Sequence, residues 1–359
     1  MNSTNGSTAS AFAEGGVESE PRGGRRILVI SPNWIGDCIM AMPGLQWYRE
    51  RHPHDSLSVV CRPSVRGIWD MHPAPDGVLE YPRTWQGTRT MAKRLRSLRF
   101  DKAYILPNSY RTAYLAWAGG IPFRAGYCGA PLRSLLLKPC LVKGDHCVAR
   151  HQAWEVMGLM NRTTLPGSLP VPRLTVPAAA GIAAQAWLEG SARPRVGILP
   201  GAARGPSKRW PVQSFCAVAA KLRRERGASI VLAGGPGDVA ACDEIADGVG
   251  EGCIRLAGRT TLDEWAAVLA SCDVVICNDS GGMHLAAAVG TPVVAVFGMT
   301  DPEVTGPLGD RISIVQGEGA RGRDIARRSE EAEKVLAAIP AERVYEEAMR
   351  WLNAPGSTP

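Results

Sequence analysis

Short apolar runs rich in β-branched residues alternate with helix-length segments along almost the whole chain, and few folds accept that pattern. In the first half the runs are RILVI (26–30), LSVVC (57–61), GVLEY (77–81) and AYILP (103–107). In the second they are RVGILPG (195–201), SIVLAGG (229–235), IRLAG (254–258), DVVICND (273–279), PVVAVFG (292–298) and RISIVQG (311–317). Strands buried on both faces read as continuous apolar runs, and parallel pairing needs crossovers of helix length, so each set predicts a parallel sheet covered by helices. Between the sets lies LPGSLPVPRLTVP (165–177), a proline-rich connector. A chain of 359 residues also exceeds the roughly 250 to 300 at which one core stops growing. The expected architecture is α/β: two Rossmann-like, doubly wound parallel-sheet domains facing a central cleft, with ligands at the carboxyl ends of the strands.

The expected boundaries are a tail over 1–24, a first domain over 25–175, a second over 176–338 and a terminal helix over 339–353. The tail is rich in Ser, Thr, Gly and Glu and lacks the apolar centre of a signal peptide. The terminal helix carries Val344, Ala348, Trp351 and Leu352 on one stripe that must be buried. The longest nearly apolar run, 285–298, is too short to span a bilayer. Ten scattered cysteines without a CxxC pair point to buried, reduced thiols in a cytosolic protein. The trio His146, Cys147 and His151 lacks the second ligand pair of a zinc site, and no metal is assigned there. A net charge of +7 favours anionic partners without choosing among them.

Two glycine motifs invite a dinucleotide reading. After GPGDVA (235–240) the next strand ends in Gly258-Arg259, with no acid for a ribose hydroxyl, and GEGARG (317–322) follows the last strand, leaving no βαβ unit. Both read as turn glycines. NDSGGMHLAAAVG (278–290) is more informative, because it leaves a strand and opens a helix with Asp279 or Ser280 as N-cap and Gly281-Gly282 giving access to the backbone. Free N–H groups at such a start suit a diphosphate. His284, one turn in, reads as a packing histidine. PGAARGPSKRWP (200–211) makes the same strand-to-helix passage and supplies Lys208 and Arg209 against phosphate oxygens. No two aspartates stand two positions apart, so the DxD pair common in metal-dependent nucleotide-sugar transferases is missing and charge compensation falls to cations and backbone. QGTRTMAKRLRSLRF (86–100) sets Met91, Leu95 and Leu98 on one face with five cations around them; it reads as a surface helix or as a segment lying on anionic lipid. SPNWIGDCIMAMPGLQ (31–46), after the first strand, places Asp37 directly after Gly36, where a phosphate loop would keep bare backbone.

SPNWIGDCIMAMPGLQ, KAYILPNSYRTAYLAWAGGIPFRAGY, PGAARGPSKRWP and NDSGGMHLAAAVGTPVVAVFGMTDP together resemble, in order and spacing, the ADP-heptose lipopolysaccharide heptosyltransferases, from about Arg25 to Leu352. The resemblance implies the GT-B architecture, with acceptor in the first domain, nucleotide sugar in the second and the terminal helix crossing back to the first. It implies inverting transfer of L-glycero-D-manno-heptose from ADP-heptose to the heptosyl-Kdo inner core on lipid A. Asp37 then matches the general base, kept ionised by the positive helix end. Gly201, Ala202, Lys208, Arg209, Asp279, Ser280, Gly281, Gly282, Met283 and His284 match the donor side, and Asn33, Trp34, Gly36, Asn108 and Ser109 the acceptor side. No metal, cofactor or nucleic acid is implied. The implied location is the cytoplasm, peripheral to the anionic inner face of the inner membrane. The alternatives are the first-heptose step on Kdo-lipid A, a related core glycosyltransferase, or a non-catalytic sugar-nucleotide-binding protein. Three features depart from the family: Ala203-Arg204 replace an acid and an aromatic, Gly282 replaces a leucine, and 317–339 resembles the family poorly.

Overall fold

The computed structural model describes residues 23–142, 151–319 and 321–354. The first sheet is built from β1 (Arg26–Ile30), β2 (Ser56–Cys61), β3 (Gly77–Glu80), β4 (Lys102–Ile105), β5 (Phe123–Tyr127) and β6 (Cys140–Leu141), and the second from β7 (Arg195–Leu199), β8 (Ser229–Leu232), β9 (Cys253–Arg255), β10 (Val274–Asn278), β11 (Val293–Phe297) and β12 (Ile312–Gln316). Every strand pair in both is parallel. The order β3-β2-β1-β4-β5-β6 recurs in the second sheet as β9-β8-β7-β10-β11-β12. Each sheet therefore reverses its winding once, between β1 and β4 and between β7 and β10, and such switch points open the crevices in which these folds bind ligands. Strands β5 and β6 have no counterpart among the sequence-predicted runs: Phe123-Arg-Ala-Gly-Tyr127 is not a continuous apolar run, and β6 is two residues long.

The helix Ile35–Arg51 joins the two halves. Its residues from Cys38 to Leu45 are all buried, because it lies on the first sheet, against the helix Ala153–Met160, and against the helix Gly281–Ala288 of the second domain. One apolar cluster consequently runs through both domains, from Ile27 and Leu57 through Met42 to Leu285 and Val275. The connector is fastened on both sides. Leu174 N–H donates to Ala288 O at 3.0 Å and Thr175 N–H to Met71 O at 2.9 Å, while Gln46 Nε2 donates to Val171 O at 3.1 Å.

Two sequence-based expectations are corrected. The terminal helix Ala341–Leu352 does not pack back on the first domain; its stripe of Val344, Ala348 and Leu352 is buried with Val218, Leu222, Ile276 and Val294 of the second domain. The helix Val212–Arg226 offers it an apolar groove close by, and Tyr345 Oη closes the contact by donating to Glu225 Oε2 at 2.7 Å. The thiols are not all reduced. Parallel pairing of Gly126 with Cys140 brings Cys128 alongside, with a Cα–Cα distance of 5.3 Å, and the two are joined in a disulfide. Seven other described cysteines are free, and burial pushes the Cys38 and Cys272 thiols up to about 12. Of the two readings of the basic stretch, the structure bears out the surface helix: Trp85–Leu98 is helical, and its Met91 and Leu95 are buried in the first domain's core and are not available to lipid. Of the trio His146, Cys147 and His151, only His151 is among the described residues, and its Nε2 lies 3.0 Å from Gly306 O.

Because the terminal stripe belongs to the second core, Val344→Ala should cost about 1.5 to 3 kcal/mol of stability, read as a lower urea midpoint. An unchanged midpoint would show that the stripe is not buried in solution.

Candidate active site

At the carboxyl end of β1, Ser31 Oγ accepts from Trp69 Nε1 at 2.7 Å and donates to Pro32 O at 2.7 Å, which fixes the exit of the chain. The helix then begins at Ile35, with Trp34 as an extended N-cap whose side chain caps nothing. Asp37 thus lies in the first turn and is not the cap. Among the described residues no donor is hydrogen-bonded to its carboxylate. Burial raises its pKa above the ordinary carboxylate value, and Arg204, Arg323 and Lys208, in that order, pull it back down. This corrects the expectation that the helix end governs the group: desolvation outweighs the attraction. A carboxylate with a raised pKa is a better proton acceptor than an exposed one.

The opposite wall is assembled at the switch point of the second sheet. Asn278, at the end of β10, accepts from Trp210 N–H at 2.9 Å through Oδ1 and donates from Nδ2 to Pro200 O at 2.7 Å, which ties the loop after β7 to the strand beside it. That tie carries Lys208 to Asp279, with which it forms an ion pair. Asp279 also accepts from Thr300 Oγ1 at 2.7 Å. Asp279 is therefore no helix cap. Ser280 is the N-cap, its side chain makes no capping bond, and the helix Gly281–Ala288 presents an uncapped start.

The two walls meet at glycines. A Cβ on Gly36 would lie 2.9 Å from His284 Cδ2, and one on Gly281 would lie 3.0 Å from Ile35 Cβ. Only hydrogen at both positions lets the helices approach this closely. Burial lowers the His284 pKa to about 4, so the ring that packs on Gly36 is neutral near pH 7. Gly282 is explained the same way. A side chain there would strike Leu199 Cδ1 at 2.8 Å and Trp265 Cζ2 at 3.0 Å, so the indole of Trp265 occupies the space that a residue larger than glycine would need.

Between the walls is a cavity of about 790 Å³. Asn33, Trp34, Gly36 and Asp37 line it from the first domain. From the second come Gly201, Ala202, Lys208 and Arg209, together with Asp279, Ser280, Gly281, Gly282 and His284. Three residues expected in the site lie elsewhere. Met283 is fully buried in the core, pointing away from the cleft because it is one residue out of phase with Gly282. Ser109 caps the helix Tyr110–Ala118 by accepting from Thr112 N–H, and Asn108 sits beside it on the exposed rim, outside the cavity lining.

Other lining residues were not anticipated. Asp238, inside the GPGDVA turn itself, accepts from Gly235 N–H at 2.9 Å and faces the cavity beside Gly201. It lies within the turn and not at the end of the next strand, where the ribose acid of a dinucleotide site stands. Arg323 and Asp324 belong to the irregular strap after β12. Arg204 pairs with Asp324 at 3.0 Å, and Arg323 crosses to Glu155 of the first domain at 2.7 Å. Two of the sequence departures are thereby one, since Arg204 finds its partner in the divergent segment. No three His, Cys, Asp or Glu side chains among the described residues converge as metal ligands would.

Residues 88–335 match the sequence profile described as glycosyltransferase family 9 (heptosyltransferase). The chain belongs to that family. As a family 9 glycosyltransferase it is 32% identical over 317 residues to lipopolysaccharide heptosyltransferase 2 of Escherichia coli K12, covering 81% of this chain and 88% of that one. It is likewise 32% identical over 310 residues to lipooligosaccharide heptosyltransferase 2 of Haemophilus influenzae, with the same coverage of 81% and 88%. The solved E. coli ADP-heptose heptosyltransferase II superposes with a TM-score of 0.80 at 30% identity, covering 91% of this chain and 98% of that one. A family 9 glycosyltransferase from Veillonella parvula superposes at 0.81 with 23% identity, covering 91% and 97%, and supports the fold. Two six-stranded parallel sheets facing a cleft are the GT-B architecture of these enzymes.

The Lys208–Asp279 pair, with side chains 13% and 7% exposed, should behave as a buried pair. Asp279→Ala leaves an ammonium without its partner and should cost about 3 to 5 kcal/mol of stability. Loss of a helix cap would cost only about 0.5 to 2, so a urea melt separates the two roles.

Proposed function

We propose that this glycosyltransferase moves L-glycero-D-manno-heptose from ADP-heptose to the heptosyl-Kdo inner core of lipopolysaccharide on lipid A, with inversion at the anomeric carbon. The observation that carries the reading is the placement of one carboxylate free of hydrogen bonds, Asp37, across the cavity from an uncapped helix start flanked by Lys208 and Arg209. The acceptor hydroxyl attacks the anomeric carbon and gives its proton to Asp37, while the bond from that carbon to the diphosphate oxygen breaks and ADP leaves. The negative charge that grows on the diphosphate is met by Lys208, Arg209 and the N–H groups at Gly281 and Gly282. Asp238, next to Gly201, is positioned for a donor hydroxyl. Asn33 and Trp34 stand on the acceptor side. The acceptor is anchored in lipid, so the enzyme works from the cytoplasm at the anionic face of the inner membrane.

The deciding experiment is mass spectrometry of products after incubation with ADP-heptose and defined acceptors. Addition of one heptose to heptosyl-Kdo-lipid A supports the reading. Addition only to Kdo-lipid A assigns the first-heptose step, and donor binding without any product makes the chain a sugar-nucleotide-binding protein.

Asp37→Asn should fold and bind ADP-heptose normally while turnover falls by about 10²-fold or more. Because burial raises the Asp37 pKa, the acid limb of kcat/KM should lie above the value of about 4 for an exposed aspartate. Arg204→Met removes the strongest cationic pull and should move that limb to higher pH still; a limb moving downward contradicts the base assignment. Since cations and backbone supply the charge compensation, excess chelator should leave the initial rate nearly unchanged, and activity that is abolished and then restored by a divalent ion overturns that expectation.

A further inference from the structure

The first domain carries a surface that the transfer reaction does not use. Rings of Trp85, Tyr110, Tyr114 and Trp117 form a connected chain with centroids 5.6 to 6.4 Å apart. Trp117 is 51% exposed and Trp85 and Tyr110 are each 44% exposed, while the adjoining short helix Pro131–Ser134 and the residue after it expose Leu132 to 69% and Leu135 to 80%. Six of the ten most exposed large apolar residues among those described fall between Trp85 and Val142. Single exposed apolar side chains are ordinary, but a concentration like this marks an interaction surface. Trp85, Tyr110, Leu132 and Leu135 follow the carboxyl ends of β3, β4 and β5, the edge of the sheet from which the Asp37 loop also emerges, and Tyr114 and Trp117 continue the surface along the helix Tyr110–Ala118.

Charge selects the partner. From 82 to 142 the chain has eleven lysines and arginines against one acid, Asp101. None of the eleven is ion-paired among the described residues, and although Arg133 is buried, seven of them are exposed. Arg111 lies over the Trp85 ring at 5.0 Å, and Arg83, Arg89, Lys93 and Arg94 are exposed nearby. A second copy of the same surface would set like charges face to face, which disfavours a symmetric dimer here. Bare leucines have no use for the phosphates of a nucleic acid. Indoles and phenols that carry a polar edge, leucines free to enter acyl chains, and unpaired cations around them form the combination that a lipid–water interface accepts.

We propose that Trp85, Tyr110, Trp117, Leu132 and Leu135, ringed by the exposed arginines and lysines, seat the first domain on an anionic phospholipid bilayer. This rests on the acceptor being lipid-anchored and goes beyond it by naming the docking face. It also gives the helix Trp85–Leu98 a different role from the one its sequence invites. Its apolar stripe is spent on the core, and beyond Trp85 at its start only its charges reach the membrane. Docked this way, the edge that carries Asp37 borders the lipid from which the acceptor sugar projects.

The test is co-sedimentation of the full chain with acceptor-free vesicles of phosphatidylcholine, alone or mixed with phosphatidylglycerol. The wild type should partition onto the mixed vesicles, less so as salt rises. The pair Trp85→Ser and Trp117→Ser, and separately Leu132→Ser and Leu135→Ser, should each lower partitioning about tenfold or more. Ile182→Ser, equally exposed on the second domain, should change nothing, and all three should keep wild-type turnover of a deacylated, water-soluble acceptor. Equal partitioning of wild type and both paired variants overturns the proposal. So does loss, in those variants, of a wild-type dimer or of binding to an RNA oligonucleotide in place of vesicle binding. Failure to turn over any soluble acceptor, with patch-dependent vesicle binding intact, sinks the proposed reaction and leaves the docking face standing.

Discussion

Everything in the cleft is referenced to the contact in which Ile35 and Gly36 of one domain meet Gly281 and His284 of the other. The backbones approach until an added Cβ would lie about 3 Å from its neighbour, and the buried side chains of the helix Ile35–Arg51 hold that approach in a core shared by both domains. Asp37 is the next residue along, so its carboxylate is positioned by packing and not by any hydrogen bond of its own. The protein holds a desolvated, hydrogen-bond-free carboxylate beside three cations: burial raises its basicity, and Arg204, Arg323 and Lys208 offset part of that rise.

The second-domain wall works on a different principle. There the charged groups are satisfied: Lys208 is paired with Asp279, Asp279 also accepts from Thr300, and Asn278 joins two loops through both ends of its amide. A buried network of this kind contributes rigidity more than net stability. It fixes the lysine before any ligand arrives, and so reduces the ordering that binding would otherwise require.

Both sheets were legible as parallel layers because their central strands are uninterrupted apolar runs, and the two-domain division followed from the connector's prolines. Strands β5 and β6 were not, since the first mixes an arginine and a glycine into five residues and the second is two residues long. The terminal helix announced its buried stripe but not which core would take it, because amphipathicity names a face and not a partner. Asp37, Lys208 and Asp279 were visible from their places after strands. The environment of Asp37 was not, because the cations that act on it, Arg204, Arg323 and Lys208, are distant in sequence. Asp238 was missed because a fingerprint written for dinucleotides looks for its acid one strand too late.

The connector sets a mechanical limit on how the cleft can open. Rotating one domain away from the other would break the bonds of Leu174 and Thr175 to opposite domains and expose apolar surface from the shared core. Lifting the strap breaks Arg204–Asp324 and Arg323–Glu155, both partly or largely in solvent and each worth about 0 to 1 kcal/mol, together with the backbone bonds from Gly322 N–H to Met299 O and from Asp301 N–H to Gly322 O. Opening at the strap, where none of the residues 321–329 is buried, disturbs no apolar core, whereas opening at the connector exposes the one that the two domains share.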